Sequence, residues 1–249
     1  MYPVLFQLGG LTFYTHGILA VLGIIIGAVI IYKAARFRRL NTDNFFDNIV
    51  FTVLFGIIGA RIAYFILYRS NFDSWTKIFY LWEGGLVSYG GFFLGLIAFI
   101  YLLRKQNEPV SKWLDVASIG FFLGLTIGRI GDLFAGEYAG ISTTSRWLSV
   151  IPGNNLIAIP LFEAMLCLII FIAATIVYRR FYDKIGENKL FLGAFFLYGL
   201  GRLMIDFGRD EKSILFGLSL GQITSLIVVI ITLILILSSD KERSQNETV

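Results

Sequence analysis

Seven stretches of the chain are apolar over about 20 residues each, the length that carries an α-helix across the hydrocarbon core of a bilayer. They cover residues 15–32, 47–68, 85–103, 113–133, 156–178, 190–207 and 216–238. The stretches are continuous and lack the alternation of a barrel strand, so they predict helices. We therefore expect an all-α fold: a polytopic membrane protein with seven transmembrane helices, forming a single integral membrane domain over residues 1–249.

The segments between these stretches are too short to form a water-soluble domain. Only 15% of the residues are charged, whereas about 25% is typical of soluble domains. The chain has one cysteine, Cys167, and one histidine, His16, which excludes a disulfide framework and a His-rich zinc site. The net charge of +4 fits basic cytoplasmic loops better than a nucleic-acid surface. We expect the lipid bilayer as a partner, and no nucleic acid, metal or cofactor.

Lysine and arginine are distributed unevenly between the two predicted sides of the membrane. Thirteen lie in the connections that follow the odd-numbered stretches and in the tail, and five lie in the connections on the opposite side. Basic loops tend to remain in the cytoplasm. The asymmetry predicts an external N-terminus and a cytoplasmic C-terminus, with residues 239–249 as a cytoplasmic tail.

Several of the apolar stretches contain ionisable residues, each of which costs about 3 kcal/mol at the centre of a membrane helix. The most informative of these residues are Arg61, Arg129, Asp132, Glu163, Arg202 and Asp206. We expect them to face one another or a wet cavity. Arginines from three different stretches would suit a phosphate, such as that of a phospholipid head group. Ion pairs that only fix helix packing are the alternative interpretation.

Glycine is concentrated at the ends of the stretches, above all in the segment 128–140. Close helix packing through small residues accounts for Gly56, Gly59, Gly120 and Gly124. It accounts less well for the segment 128–140, where glycine alternates with Arg, Asp and Glu. Glycine there would also let the backbone approach a ligand.

The segment 128–140 resembles the signature of the prolipoprotein diacylglyceryl transferase family, Gly-Arg-x-Gly-Asn-Phe-x-Asn-x-Glu-x-x-Gly. Gly128, Arg129, Gly131, Glu137 and Gly140 match it in register. Other matches follow in the family's order along most of the chain: Gly59-Ala60-Arg61 with Tyr64, Trp82-Glu83-Gly84-Gly85, Gly90-Gly91, Phe162-Glu163, Tyr198-Gly199, Arg202, Asp206, Arg209 and Ser219-Leu220-Gly221-Gln222. Seven spans with an external N-terminus agree with the family's topology.

The chain departs from the family pattern at several positions and is therefore identified as a divergent member. Asp132 and Ala135 stand where the signature has asparagine. Tyr89 stands where many members have the histidine before Gly-Gly, and His16 stands where many have a tyrosine.

The resemblance implies a transferase of the bacterial cytoplasmic (inner) membrane that acts in lipoprotein biosynthesis. Its expected partners are phosphatidylglycerol, which donates a diacylglyceryl group, and the lipobox cysteine in the signal peptide of a preprolipoprotein, which accepts it. We expect Arg129 and Arg202 to clamp the phosphate, and Glu137 and Asp132 to orient them. The other residues expected to contact the substrate are Arg61, Gly128, Gly131, Gly140, Glu163, Tyr198, Asp206, Arg209 and Gln222.

The base that takes the thiol proton is ambiguous in the sequence. Tyr89 replaces the family's histidine but has a reference pKa of about 10. His16 titrates near neutral pH and could have taken over, or it could only form a hydrogen bond at the membrane edge.

Two other functions stay open. A catalytically degenerate relative that binds lipid or lipoprotein would fit the replaced asparagines. A small transporter would use intramembrane charges as an ion path, although the chain lacks the internal repeat typical of transporters.

Overall fold

A computed structural model of the chain describes residues 2–81, 84–137, 140–145, 147–149 and 155–246. Trp82 and Glu83, part of the family resemblance, lie outside these residues. The described part is mostly helical: α1 (Thr15–Phe37), α2 (Phe45–Leu67), α3 (Ser88–Lys105), α4 (Val110–Ala135), α5 (Ile159–Arg180), α6 (Tyr182–Ile185), α7 (Lys189–Asp206) and α8 (Leu220–Asn246). The chain forms two compact units, one of residues 1–33 with 114–249 and one of residues 34–113.

A short antiparallel hairpin precedes α1, formed by β1 (Val4–Leu8) and β2 (Leu11–Tyr14). The backbone N–H of Tyr2 donates to the carbonyl of Phe134 at 2.8 Å, which ties this hairpin to the end of α4. These strands were not predicted from the sequence, because each is too short to stand out among the apolar stretches.

Among the described residues, five helices are long and apolar enough to cross a membrane: α1, α2, α4, α5 and the Leu220–Ser239 part of α8. The predicted third and sixth stretches correspond to α3 and α7, which have 18 residues each. The helical character of the chain is therefore confirmed. The count of seven spans and the orientation stay predictions.

Several predicted boundaries need correction. The last stretch was predicted to begin at residue 216, but Phe216 and Gly217 have φ values of 50° and 77°, so they form a turn and α8 begins at Leu220. This helix continues to Asn246, through most of the residues assigned to the tail. The fifth stretch was predicted from residue 156, whereas α5 begins at Ile159, with a proline in its first turn as helix starts favour.

Pairs of glycines let the helices approach closely within each unit. A Cβ atom on Gly27 would lie 2.7 Å from the carbonyl oxygen of Gly120, and one on Gly124 would lie 2.7 Å from that of Gly23. Real Cβ atoms do not come so close, so the backbones of α1 and α4 meet without side chains between them. In the other unit, a Cβ atom on Gly91 would lie 2.9 Å from the carbonyl oxygen of Gly56, between α2 and α3. The predicted packing through small residues is confirmed at these positions.

Asp115, near the start of α4, is fully buried and was not among the residues predicted from the sequence to be important. It accepts hydrogen bonds from the backbone N–H groups of Asn188 (2.7 Å) and Phe191 (2.8 Å) and from the Tyr182 hydroxyl (2.8 Å). The first N–H groups of a helix have no partner within it, so Asp115 caps α7 from a neighbouring helix. Burial, and then the Asp115 charge, raise the pKa of Tyr182 above its usual range, which keeps the hydroxyl a donor.

Candidate functional site

Glu163, near the start of α5, is fully buried, and three arginines among the described residues contact its carboxylate. Nε of Arg129 lies 2.9 Å from Oε2, a close charge contact without hydrogen-bond angles. Nη1 of Arg202 donates to Oε1, and so does Nη2 of Arg209, at 2.5 Å. One carboxylate thus holds together the ends of α4 and α7 and the segment that follows α7.

Asp206, the last residue of α7, is the second buried acid of this cluster. Its Oδ1 accepts a hydrogen bond from Arg209 Nε at 3.1 Å, and its Oδ2 lies 3.3 Å from Arg202 Nε. Arg209 Nη1 also donates to Glu211 at 3.3 Å. These contacts compensate the arginine charges, since an unpaired buried charge would be strongly destabilising.

Arg129 is the most exposed of the three arginines that contact Glu163. Its side chain is 15% exposed, against 6% for Arg202 and 4% for Arg209. Nη1 donates to Asp132 Oδ2 at 2.7 Å, and Nε faces Glu163. For Nη2, no described residue provides an acceptor. Arg129 is therefore exposed enough to offer this N–H group to an incoming anion.

Asp132 joins the arginine cluster to His16. Its Oδ1 forms a short contact with Nδ1 of His16, near the start of α1. The ligand atoms of His16, Asp132 and the exposed Glu137 all lie within 4.8 Å of one another, a spacing that could hold a metal ion. Both oxygens of Asp132 already have partners in His16 and Arg129, so these contacts favour a hydrogen-bonded group over a cation site.

Gly131 and Gly140 have structural reasons to be glycine. A Cβ atom on Gly131 would lie 2.9 Å from Leu19 Cβ, so the missing side chain lets α4 approach α1 beside His16. Gly140 forms an isolated antiparallel bridge with Arg209 and leaves no space for a Cβ atom, which fixes the backbone that carries this arginine. A Cβ atom on Gly128 would meet no atom of the described residues within 4 Å.

Tyr198 and Gln222, two further predicted contacts of the substrate, lie on α7 and α8. The ring of Tyr198 packs 5.5 Å from that of Phe122, between centroids. Gln222 Oε1 accepts the backbone N–H of Ser219 at 3.0 Å, and Ser219 Oγ accepts the backbone N–H of Gln222 at 3.3 Å. This reciprocal pair is a capping box at the start of α8.

Arg61 and Tyr89 belong to the unit of residues 34–113. All five N–H groups of Arg61 donate to backbone carbonyls, those of Lys77, Ile78, Tyr80, Gly84 and Gly85. A substrate could bind this guanidinium only by displacing one of these bonds. Tyr89 is the second residue of α3 and is half-buried.

The structure thus brings together most of the residues predicted for the site. They are His16, Arg129, Asp132, Glu137, Glu163, Arg202, Asp206 and Arg209. Glu211 joins this set, and its position two residues after Arg209, outside every apolar stretch, gave no signal in the sequence.

An apolar recess of about 190 Å³ lies beside the cluster, between α5, α7 and the segments that flank them. Its lining consists of Leu148, Ile157, Ile159, Phe162, Met204, Ile205 and Gly208. Phe162 and Gly208 are the chain neighbours of Glu163 and Arg209, so apolar surface adjoins the buried charges directly.

Comparison with known proteins agrees with the resemblance of the signature. The family model described as prolipoprotein diacylglyceryl transferase matches residues 3–238. The phosphatidylglycerol–prolipoprotein diacylglyceryl transferase of Wolbachia pipientis subsp. Culex pipiens is 31% identical, over 99% of this chain and 98% of the relative. The proteins of the same name from Wolbachia sp. subsp. Drosophila simulans (30% identical, 95% of this chain and 94% of the relative) and Streptococcus equi subsp. equi (28% identical, 97% and 96%) are also similar. The chain therefore belongs to the prolipoprotein diacylglyceryl transferase family.

Proposed function

We propose that this protein transfers the diacylglyceryl group of phosphatidylglycerol to the lipobox cysteine in the signal peptide of a preprolipoprotein. The observation that carries the proposal is the buried cluster around Glu163, in which Arg129 keeps an N–H group without an acceptor among the described residues. Family membership over nearly the whole chain supports the same reaction.

Arg129 is the natural contact for the phosphate of the lipid. A guanidinium matches phosphate oxygens in geometry as well as in charge. Because Glu163 and Asp132 already fix two of its nitrogens, Arg129 binds the phosphate without first losing side-chain freedom. As the carbon–oxygen bond breaks, negative charge grows on the phosphate, and a preorganised N–H group stabilises that charge. Arg202 and Arg209 hold Glu163 in place and so support Arg129.

The protein is a multi-pass membrane protein, and we place it in the bacterial inner membrane with seven spans and an external N-terminus. The cluster is formed by the end of α4, the start of α5 and the end of α7, which alternate in direction as successive spans do. The basic-residue asymmetry assigns this end to the outer leaflet. In α7, the charges of Arg202 and Asp206 are paired, which lowers the energy needed to place this helix in a bilayer.

The nucleophile comes from the substrate. The only cysteine of the chain, Cys167, is buried within α5. The substrate's thiol would attack the glyceryl carbon, and glycerol phosphate would leave with the electrons of the broken bond. The apolar recess beside Glu163 offers a surface on which an acyl chain of the lipid could pack.

The test is transfer with defined components. The purified protein is reconstituted in vesicles that contain phosphatidylglycerol and incubated with a lipobox peptide, and the products are analysed by mass spectrometry. We expect a peptide that carries one diacylglyceryl group, and no adduct on a control peptide with serine in place of the cysteine. Lipid or peptide binding without an adduct would instead identify a degenerate relative.

The Arg129→Ala variant separates the clamp from the rest of the proposal. Loss of one preorganised donor should lower the rate of transfer by about 10²–10³-fold. Arg129→Lys should keep only part of the wild-type rate, because an ammonium group lacks the planar geometry of a guanidinium. Full activity of the Arg129→Ala protein would contradict the clamp.

A further inference from the structure

The contact between His16 and Asp132 defines where the imidazole carries its proton. Asp132 is 3% exposed, and its Oδ2 accepts a hydrogen bond from Arg129 at 2.7 Å, as expected of an ionised carboxylate. An ionised carboxylate only accepts hydrogen bonds, so the proton in the contact with Oδ1 belongs to Nδ1 of His16. Nε2 of the neutral ring therefore keeps its lone pair. The side chain of His16 is 44% exposed, so the ring is reachable from outside the protein.

We propose that His16 is the catalytic base of this enzyme: its Nε2 takes the proton from the substrate's thiol, and Asp132 is a positioning residue that fixes the tautomer and orientation of the ring. The inference rests on the proposed transfer reaction and names the group that activates its nucleophile. A thiolate is the effective sulfur nucleophile, and free cysteine ionises only at about pH 8.5. A base with a titration range near neutrality is therefore valuable.

Both residues of this pair are positions at which the chain departs from the family pattern. His16 stands where many members have tyrosine, and Asp132 stands where the signature has asparagine. The structure places the two departures in direct contact. A neutral pair of hydroxyl and amide has thus become an imidazole with a carboxylate, in a chain that has no other histidine. Tyr89, at the position of the family's histidine, is a poor base because tyrosine ionises at about pH 10.

Asp132 also connects the base with the phosphate clamp. Its Oδ1 faces His16 and its Oδ2 faces Arg129, so one carboxylate sets the positions of both. In the proposed step, Nε2 takes the thiol proton, the sulfur forms a bond to the glyceryl carbon, and the carbon–oxygen bond to the phosphate breaks. Glycerol phosphate leaves with that electron pair, and protonated His16 returns its proton to the departing phosphate. The imidazole is then neutral again.

Gly131 supports this arrangement. A Cβ atom there would lie 2.9 Å from Leu19 Cβ and 3.4 Å from His16 Cα. The absence of a side chain lets α4 approach α1 at the height of His16, as the short contact with Asp132 requires.

The first experiment compares His16→Gln with the wild-type protein on two lipobox peptides, one with cysteine and one with selenocysteine, whose selenol ionises without a base. With the cysteine peptide at neutral pH, we expect the variant to lose about 10²-fold or more in rate. With the selenocysteine peptide, we expect the two rates to agree within a few-fold. Tyr14→Phe, which changes an exposed side chain two residues before His16, is the matched control and should behave as wild type with both peptides.

The pH profile gives an independent readout. The charged groups that face His16 are Asp132 and Arg129 on α4 and Glu137 after it. We expect the deficit of His16→Gln to shrink as pH rises toward about 8.5, where the thiol ionises without help. For Asp132→Asn we expect a lower kcat with the cysteine peptide and a smaller loss with the selenocysteine peptide. A carboxamide can still orient the His16 ring, but it does not stabilise the positive charge that the ring gains with the proton.

The outcomes separate this inference from the transfer reaction on which it rests. If the wild-type protein forms no adduct with either peptide, the proposed function itself fails. If the wild type is active and His16→Gln keeps its rate and pH profile, the base is another group and the inference alone is wrong. An equal loss with both peptides would assign His16 a structural role and would also overturn the inference.

Discussion

Arg61 and Arg129 are both arginines in predicted membrane spans, but the protein satisfies their charges in different ways. All five N–H groups of Arg61 donate to backbone carbonyls of the segment 77–85, and its guanidinium carbon lies 5.2 Å from the ring centroid of Phe72. Arg129 instead faces two carboxylates and keeps one nitrogen without an acceptor among the described residues. The first arrangement is saturated and organises a loop, whereas the second is compensated in charge and open to an anion.

The difference shows how intramembrane arginines of one chain divide between structure and chemistry. Carbonyl groups compensate a guanidinium through many weak dipoles, and the 3-10 turn Trp75–Phe79 carries two of these carbonyls, those of Lys77 and Ile78. Carboxylates compensate a guanidinium with few strong contacts, so some of its N–H groups stay available to a ligand. We therefore expect substitutions in the Glu163 cluster and around Arg61 to separate in their effects on stability and on transfer.

The largest expected effect is that of Glu163→Ala. Removing this buried carboxylate leaves three arginines without their common partner, and breaking a buried charge pair costs about 3–5 kcal/mol in the free energy of unfolding. Thermal unfolding in detergent micelles, followed by circular dichroism, measures the change. Glu211→Gln is the control, because this side chain is 35% exposed and should change stability by less than about 1 kcal/mol. Similar midpoints for both variants would mean that Glu163 does not hold the cluster together.

The conservative pair Arg61→Lys and Arg129→Lys tests the comparison itself. An ammonium group has three donors and cannot satisfy the carbonyls that surround Arg61. We expect Arg61→Lys to lower stability by about 2 kcal/mol and to speed proteolytic cleavage between α2 and α3. Arg129→Lys should leave the unfolding midpoint nearly unchanged and lower kcat for transfer instead. If Arg61→Lys reduced kcat at unchanged stability and proteolysis, Arg61 would be the substrate contact that the sequence predicted.

The sequence was sufficient for the helical fold because long apolar stretches leave few alternatives. It also identified Arg129, Glu163, Arg202 and Asp206, since charges inside such stretches require partners. It could not show that Glu163 is the common partner, because the positions along separate helices do not determine which side chains meet. The hairpin before α1 was missed for a different reason: its strands are short, and nothing in their length distinguishes them from a loop.

Asp115 was not predicted from the sequence to be important, although it lies in a predicted apolar stretch. Its substitution should have an intermediate effect on stability. It has no cationic partner among the contacts described for it; three neutral donors satisfy it. Asn in its place keeps one acceptor oxygen and turns a donor toward the others. We expect Asp115→Asn to lower the free energy of unfolding by about 1–2 kcal/mol. Amide hydrogen exchange at the start of α7 should report this loss. Unchanged protection at residues 188–191 would contradict the capping role.

The smallest expected effect is that of Gln222→Ala, which also decides between two assignments of this residue. The resemblance places Gln222 among the substrate contacts, whereas the structure shows its side chain accepting the backbone N–H of Ser219. A lost cap of this kind costs about 1 kcal/mol, so the unfolding midpoint should fall slightly while kcat/KM for transfer stays near that of the wild type. Ser219→Ala removes the other half of the capping box and should match it. The two variants could instead have equal unfolding midpoints while only Gln222→Ala loses most of its transfer activity. That result would mean that the Gln222 amide contacts the substrate and that its capping role is secondary.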